Sequence, residues 1–387
     1  MIFIDNRLFL FVKSLILGLL IIGIFVFQGN MERLFIIAFT LITINIFKYT
    51  KFKFNYISLI FCGLILGYIL GNILLYYSVI RSYEGCNNQN RFERNKERLS
   101  KPAVIIYSPG EPPIFDFSII FRNVYSKKSI IKKINAPIEV FKFKIAYENM
   151  GSSKYVDLCN RIEDNLRLRL GEGYDLHSAY SNTIPFINEE LNRLSHDYEK
   201  IILVPLMLSE TEDYRTLKDI IDKNYANSDI EIKITPFLWK SKKLLTQITE
   251  KVIRKAGNEK MDSTGVILLM SNTENPYKQS VFSNEVIRRI EKLRLEKDRI
   301  IRIRFDDEKS HIIRSIKKLK GRGVENIIIS SVLNFHDNII DQYKMNKLIE
   351  KTAKKESINI YYINGWGIGE NLLNELEYKI RITNLKD

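Results

Sequence analysis

The first 80 residues carry their apolar side chains in long unbroken runs, whereas the rest of the chain carries them in short bursts and at helical spacing. Residues 8–27 form a run of 20 whose only charge is Lys13, and residues 56–80 form a run of 25 with no charge at all. Each is long enough to cross a bilayer as a helix. Between them, residues 34–47 are apolar for only 14 positions. This stretch is either a short span that uses flanking Met31 and Tyr49 or an interfacial or re-entrant helix; three spans are expected. A cleaved leader fits poorly, because the first run is long, lacks a small-residue cleavage site and is followed by further apolar runs. No acidic or His residue lies within the spans, so they read as an anchor and not as a transport pathway.

Beyond the runs the pattern changes. Residues 81–101 are polar and charged, which reads as a linker leaving the membrane. Ala103 to Tyr107 is then a short apolar run ending in Ser108-Pro109-Gly110-Glu111-Pro112-Pro113, the signature of a buried strand entering a tight loop. Residues 265–270 repeat it and end in Ser271-Asn272-Thr273-Glu274-Asn275-Pro276. A second pair of buried strands, residues 199–207 and 325–333, each follows an amphipathic helix. Ile187, Leu191 and Leu194 supply the apolar face of one helix, and Ile312, Ile313, Ile316 and Leu319 that of the other. Buried strands alternating with such helices predict an α/β fold of two similar Rossmann-like halves, 102–258 and 262–387, with parallel sheets and a cleft between them, preceded by the membrane anchor of residues 1–80. In open parallel sheets ligands bind beyond the carboxyl ends of the strands, so function is expected in the loops that follow them.

Charge narrows the partners. The net charge of +14 divides as +4 over residues 1–80, +3 over 81–101 and +7 over the remainder. A surplus of seven on the folded part is too thin for a dedicated nucleic-acid surface, and no nucleic-acid partner is expected. Lys48, Lys51 and Lys53 compete with the larger cluster from Arg81 to Lys101 in setting orientation. The larger cluster places the soluble part in the cytoplasm of a multi-pass cell-membrane protein, with the lipid bilayer as a partner. Cys62, Cys86 and Cys159 are the only cysteines; they offer neither a disulfide framework nor a CxxC half-site and suit a reducing compartment.

Four segments carry a family likeness. They are Ile106-Tyr107-Ser108-Pro109-Gly110-Glu111-Pro112, Phe121-Arg122-Asn123-Val124-Tyr125-Ser126, Tyr147-Glu148-Asn149-Met150-Gly151-Ser152-Ser153, and residues 179–191 around Pro185-Phe186-Ile187. In order and spacing, across residues 103 to about 380, they resemble the ferrochelatases and, more distantly, the sirohydrochlorin chelatases. The resemblance implies a two-domain chelatase that binds a porphyrin or related tetrapyrrole between its halves and inserts ferrous iron in haem biosynthesis. Iron is then a substrate, and no resident cofactor is required. The apolar runs lie outside the resemblance.

Insertion needs ligands for a divalent metal and bases for two pyrrole protons. The family places a His after the first strand of the second half, where this chain has Asn272. It places a Glu two residues beyond a second His, and here His336 is followed by Asn338 at that position. Where many members carry a His before Pro185, this chain has Asn182. Asparagine can accept a hydrogen bond or lend a carbonyl oxygen to a metal, but it takes up no proton at neutral pH. The resemblance therefore leaves His336 and Asp337 as a shifted pair that serves both as bases and as metal ligands, with Glu274 as a further catalytic carboxylate and Glu111, Glu210 or Asp213 as alternatives. Against that, His336 can simply satisfy a turn, and Glu111 and Glu274 can cap the helices that follow them. Tyr107, Pro109, Gly110, Asn182, Asn272, Asn338 and Tyr214 are the expected substrate-binding residues, with Tyr180, Trp239 and Trp366 as further aromatics and Arg122 or Lys154 for the propionates. His177, His196 and His311 are expected on the surface. Gly365-Trp366-Gly367-Ile368-Gly369 lies too near the C-terminus to open a dinucleotide-binding unit. The alternatives to a chelatase are a tetrapyrrole carrier or sensor that has lost its bases, and a scaffold that regulates the membrane helices.

Overall fold

A computed structural model of the chain describes residues 6–50, 54–87, 98–126, 129–226, 228–257, 262–270, 276–292, 296–304 and 309–385. These fall into two compact units. One joins the apolar N-terminal helices to residues 114–151; the other comprises residues 98–113 and 152–385. The expected first half, 102–258, is thus interrupted by a helical insert that groups with the apolar helices.

In the first unit, helices α1 (Asn6–Val26), α2 (Asn30–Thr50) and α3 (Phe54–Asn87) are each long and apolar enough to cross a membrane. The short middle run lies within a helix of 21 residues. Helices α1 and α3 approach closely along Gly63, Gly67 and Gly71, where a Cβ on Gly67 would collide with the Leu15 carbonyl oxygen and one on Gly63 with the Ser14 side chain. Lys13, the one charge in the first run, donates to the Asn45 side chain of α2. The insert supplies α4 (Phe117–Tyr125), α5 (Ile130–Ile134) and α6 (Ala136–Met150). Asp116 starts α4 by accepting the Ser118 and Ile119 N–H groups at 2.9 and 3.0 Å. Phe141 stacks on Phe25 with ring centroids 4.7 Å apart. Lys144, 1% exposed, pairs with Glu32 at 2.6 Å and donates to the Ile24 carbonyl near the end of α1 at 2.9 Å. Tyr68 and Asn72 of α3 donate to backbone carbonyls at Ile134 and Lys133. The insert therefore joins the apolar helices through polar contacts at defined points as well as through its apolar face.

The second unit is built in chain order from β1 (Ala103–Ser108), α7 (Tyr155–Leu170), β2 (Asp175–Tyr180), α8 (Ile187–Asp197), β3 (Lys200–Pro205), α9 (Glu212–Asn224), β4 (Glu231–Ile234) and α10 (Lys242–Ala256). It continues with β5 (Thr264–Met270), α11 (Pro276–Glu291), β6 (Ile300–Arg304), α12 (Lys309–Lys320), β7 (Asn326–Ser331), α13 (Ile339–Glu356), β8 (Asn359–Ile363) and α14 (Glu370–Leu385). Two four-stranded sheets result, in the orders β2-β1-β3-β4 and β6-β5-β7-β8, with every pair parallel. The sequence repeat is therefore structural. Strands β1 and β5 occupy the same place in their sheets, as do β3 and β7.

Strand alternation divides the core. Val104, Ile106, Ile202 and Val204 of the first sheet and Val266, Leu268 and Ile328 of the second all enter one shared apolar cluster, filled by α7, α10, α11 and α14. The intervening residues face outward clusters of their own: Ile105 and Leu203 meet Leu191 and Leu194, while Ile267 and Ile329 meet Ile316 and Leu319. Helix α14 packs on α7 and α10 of the first half. Arg169 of α7 holds Glu370 at 2.7 Å, and the Lys200 ammonium donates to the Asn384 carbonyl at 3.0 Å. The two halves thus share a core and are laced together at their C-terminal helix.

Candidate functional site

The carboxyl end of β1 is fixed by its neighbours. Tyr107 is buried and its hydroxyl lies 2.6 Å from the Ser181 hydroxyl while donating to the Asp213 carbonyl at 2.8 Å, so it ties the end of β1 to the β2 loop and the first turn of α9 from inside the core. Burial raises its pKa well above the usual tyrosine value. Pro109 offers its carbonyl to the Asn182 N–H at 2.9 Å, which joins the β1 and β2 loops. Gly110 has φ +67°, and a Cβ there would strike the Tyr180 ring, so only glycine lets the loop pass. This turn delivers Glu111 to an interior position with 5% exposure.

Glu111 reaches across to the other half. One carboxylate oxygen accepts the Ser153 hydroxyl, and the other accepts the Ile339 N–H at the start of α13 at 2.9 Å. The carboxylate thus serves one of the unpaired donors of a helix N-terminus. Burial raises its pKa to about 7; the hydrogen bonds from Ser153 and Ile339 oppose the rise, and the charges of Asp341 and Asp337 add to it. A glutamate in this state changes its proton occupancy around neutral pH. The expectation that Glu111 caps the helix following it gives way to a longer-range arrangement: it serves α13, more than two hundred residues on.

The loop after β7 carries His336, Asp337 and Asn338, and it separates their side chains. Asp337 is buried. It accepts Ser331 and Asn334 on one oxygen, each at 2.7 Å, and the Tyr362 hydroxyl on the other. Burial raises its pKa despite these bonds. His336 is half-buried beside Tyr155, with ring centroids 6.0 Å apart, and its Nε2 lies 3.1 Å from the Gln342 amide nitrogen. With Gln342 donating, Nε2 is the acceptor and the imidazole is neutral. Burial, together with the positive charges of Lys251 and Lys154, lowers its pKa to about 4. Asn338 caps α13, accepting the Asp341 N–H at 2.9 Å. The structure therefore does not bring His336 and Asp337 onto one ligand, and it gives Asn338 a helix-capping task.

Tyr214, at the start of α9, packs edge-on against Phe237 with centroids 4.7 Å apart. Glu210 pairs across the halves with Lys278 at 2.5 Å, and that ammonium also lies 5.8 Å from the Trp239 ring centroid. Trp366 is buried against Phe335, and Gln247 holds the glycine-rich turn by donating to the Trp366 and Gly367 carbonyls, each at 2.9 Å. This turn is a packed joint leading into α14. Asn272 and Glu274 lie outside the described residues. Among the described residues no group of three or more His, Cys, Asp or Glu is placed to hold a metal ion. His196 and His311 are exposed as expected. His177 is not: its Nδ1 lies 3.2 Å from Arg193 and 3.3 Å from Glu190, because β2 turns it toward α8.

Sequence reasoning passed over Ser153, Gln342 and Lys251 as functional residues. Ser153 ends the quoted Tyr147 to Ser153 segment, so its place in a motif was a usable signal. Gln342 and Lys251 are ordinary helix positions in the sequence, and nothing local marks them. The arrangement supplies a carboxylate poised near neutrality and a neutral imidazole on loops of opposite halves, linked through the first turn of α13. Such a pair can accept protons or offer lone pairs to a cation.

No family model matches the chain. A ferrochelatase of Sulfurimonas denitrificans is 26% identical over 187 residues, which cover 44% of this chain and 59% of that protein. The chain thus spans about three fifths of that relative's length. Among solved structures, SirB from Bacillus subtilis with Fe3+ matches 74% of this chain and 96% of its own at 10% identity, with a TM-score of 0.48. The cobalt complex of the sirohydrochlorin chelatase SirB from Bacillus subtilis subspecies spizizenii matches 73% and 95% at 11% identity, with a TM-score of 0.46. In its sequence match to a ferrochelatase and its duplicated parallel sheets, the chain is similar to the chelatases.

Proposed function

We propose that this protein is a membrane-anchored chelatase that holds a tetrapyrrole, a porphyrin in the first instance, in the cleft between its two α/β halves and inserts a divalent metal, ferrous iron being the leading substrate. The observation that carries the reading is Glu111, a buried carboxylate on the β1 loop whose pKa of about 7 lets it exchange a proton at working pH. Metal insertion releases two pyrrole protons. Ionised Glu111 takes one and solvent water the other, while neutral His336, once its Nε2 exchanges the Gln342 hydrogen bond, lends its lone pair to the incoming metal. Asp337 positions His336 by anchoring the loop from beneath. Three helices long and apolar enough to cross a membrane suit an apolar macrocycle, because tethering at the bilayer raises its effective concentration at the site. The soluble unit is then cytoplasmic, as the basic cluster after the third helix favours.

A second reading is a tetrapyrrole carrier or sensor. It is favoured by the engagement of both oxygens of Glu111 and of Asp337 with protein donors. The test uses the full chain in detergent. A soluble dicarboxylic porphyrin is titrated and its absorption spectrum followed; ferrous iron is then added anaerobically, and zinc separately. Metallation above the protein-free rate, lowered in Glu111→Gln and His336→Ala, supports the chelatase. Saturable binding with no metallation supports the carrier, and no binding at all sinks both.

A further inference from the structure

A groove on the far side of the second half carries charge that the chelatase reading does not use. It lies between α12 and α13 and encloses about 490 Å³. Lys344, Lys347, Lys351 and Lys355 recur at intervals of three and four residues, which places them on one face of α13, and Lys309 faces them from the start of α12. All five are exposed. Lys309, Lys344, Lys351 and Lys355 have no acidic partner among the described residues. The single acid in the lining, Glu356, faces Lys317 at 3.9 Å and Lys320 at 3.5 Å, so its charge is directed elsewhere. The floor is apolar: Leu348 is buried and Ile313 half-buried.

We infer that this groove binds an acidic phospholipid, with the lysine row on the phosphate and an acyl segment along the Ile313–Leu348 floor. Like charges spaced one turn apart repel, and an anion lying along the row relieves that repulsion. An inorganic phosphate matches neither the length of the row, about 17 Å over the eleven rises from Lys344 to Lys355, nor the apolar floor. A nucleic-acid backbone leaves the floor unused, and the soluble part has no wider basic surplus to support it. An amphiphile with an anionic head uses both features, and the same chain carries three helices suited to a bilayer, where such lipids are found.

The experiment places the full chain in nanodiscs of phosphatidylcholine alone or of phosphatidylcholine with phosphatidylglycerol, and measures the rate of amine labelling at each lysine by mass spectrometry. Labelling at Lys344, Lys351 and Lys355 should fall about fivefold in the anionic discs and recover in high salt. Lys223 on α9 should not change. In the charge-reversed variant Lys344→Glu/Lys351→Glu, Lys355 should lose its protection while thermal unfolding stays near that of the parent. Equal labelling in the two discs would overturn the proposal. So would protection of detergent-solubilised protein by inorganic phosphate, an oligonucleotide or an acidic peptide to the same extent as by short-chain phosphatidylglycerol.

Discussion

Glu111 and Ile339 meet across the two halves, the carboxylate of one accepting the backbone N–H of the other at 2.9 Å. A helix N-terminus in the second half is thereby completed by an acid from the first, and the bond couples the proton on Glu111 to the seating of α13. The pH dependence has a defined sign. The pKa is raised in the folded state to about 7 from an ordinary 4.5. The contribution of Glu111 to stability is therefore full below the ordinary value, declines as pH rises from about 4.5 to 7, and is flat above that, with a span on the order of 3 kcal/mol. Thermal unfolding of the parent and of Glu111→Gln across this range should show the parent losing ground to the variant as pH rises. Parallel curves would show that Glu111 ionises normally.

Asp337 holds three donors from inside the late loop. Replacing it by alanine leaves Ser331, Asn334 and Tyr362 without their acceptor and should cost about 3 kcal/mol or more. Asp337→Asn keeps part of the network and should cost less. Unfolding midpoints of the two variants check the order. If Asp337→Ala is as stable as the parent yet inactive, the residue acts on the reaction and not through the loop.

His336 should remain neutral throughout the range from pH 5.5 to 8, because its pKa is lowered to about 4. Nitrogen-15 spectra of histidine-labelled protein, assigned by His336→Gln, should show one unchanging neutral tautomer with the proton on Nδ1. A titration midpoint near 6.5 would mean that the ring is more open, and less influenced by Lys251 and Lys154, than the structure shows.

Lys144 and Glu32 fasten the insert to the apolar helices. Lys144→Ala removes a buried partner and should cost about 3 kcal/mol, whereas Lys144→Met, which keeps the packing volume, should cost less. Limited proteolysis of the full chain in detergent reports on the insert directly. Cleavage within residues 114–151 should appear first in Lys144→Ala.

Much of this architecture was legible in the sequence because it is periodic. The apolar runs gave the three long helices, and the strand repeat offset by 126 residues, from Ile201 to Ile327, reappears as matched third strands in the two sheets. The interruption of the first half was not legible. Residues 121–126 and 147–153 read as part of the family likeness of the first half, and nothing local says that Lys144 is answered by Glu32. The site divides in the same way. Its loops were located from topology, yet the roles within them depend on partners distant in sequence: Ser153 and Ile339 for Glu111, Tyr362 for Asp337. Residue type alone suggested that His336 and Asp337 would work as neighbours, but the backbone of that loop sends one side chain inward to the Tyr362 hydroxyl and the other toward Tyr155.

The central claim is that Glu111 is the proton acceptor for metal insertion, and the pH dependence of that step tests it most directly. With the full chain, a soluble porphyrin and ferrous iron under anaerobic conditions, the single-turnover rate should rise through a midpoint near pH 7 and level off above it. Glu111→Gln should lose most of the rate and the inflection with it. A rate that is flat across this range, or a Glu111→Gln variant that metallates as fast as the parent, would contradict the account.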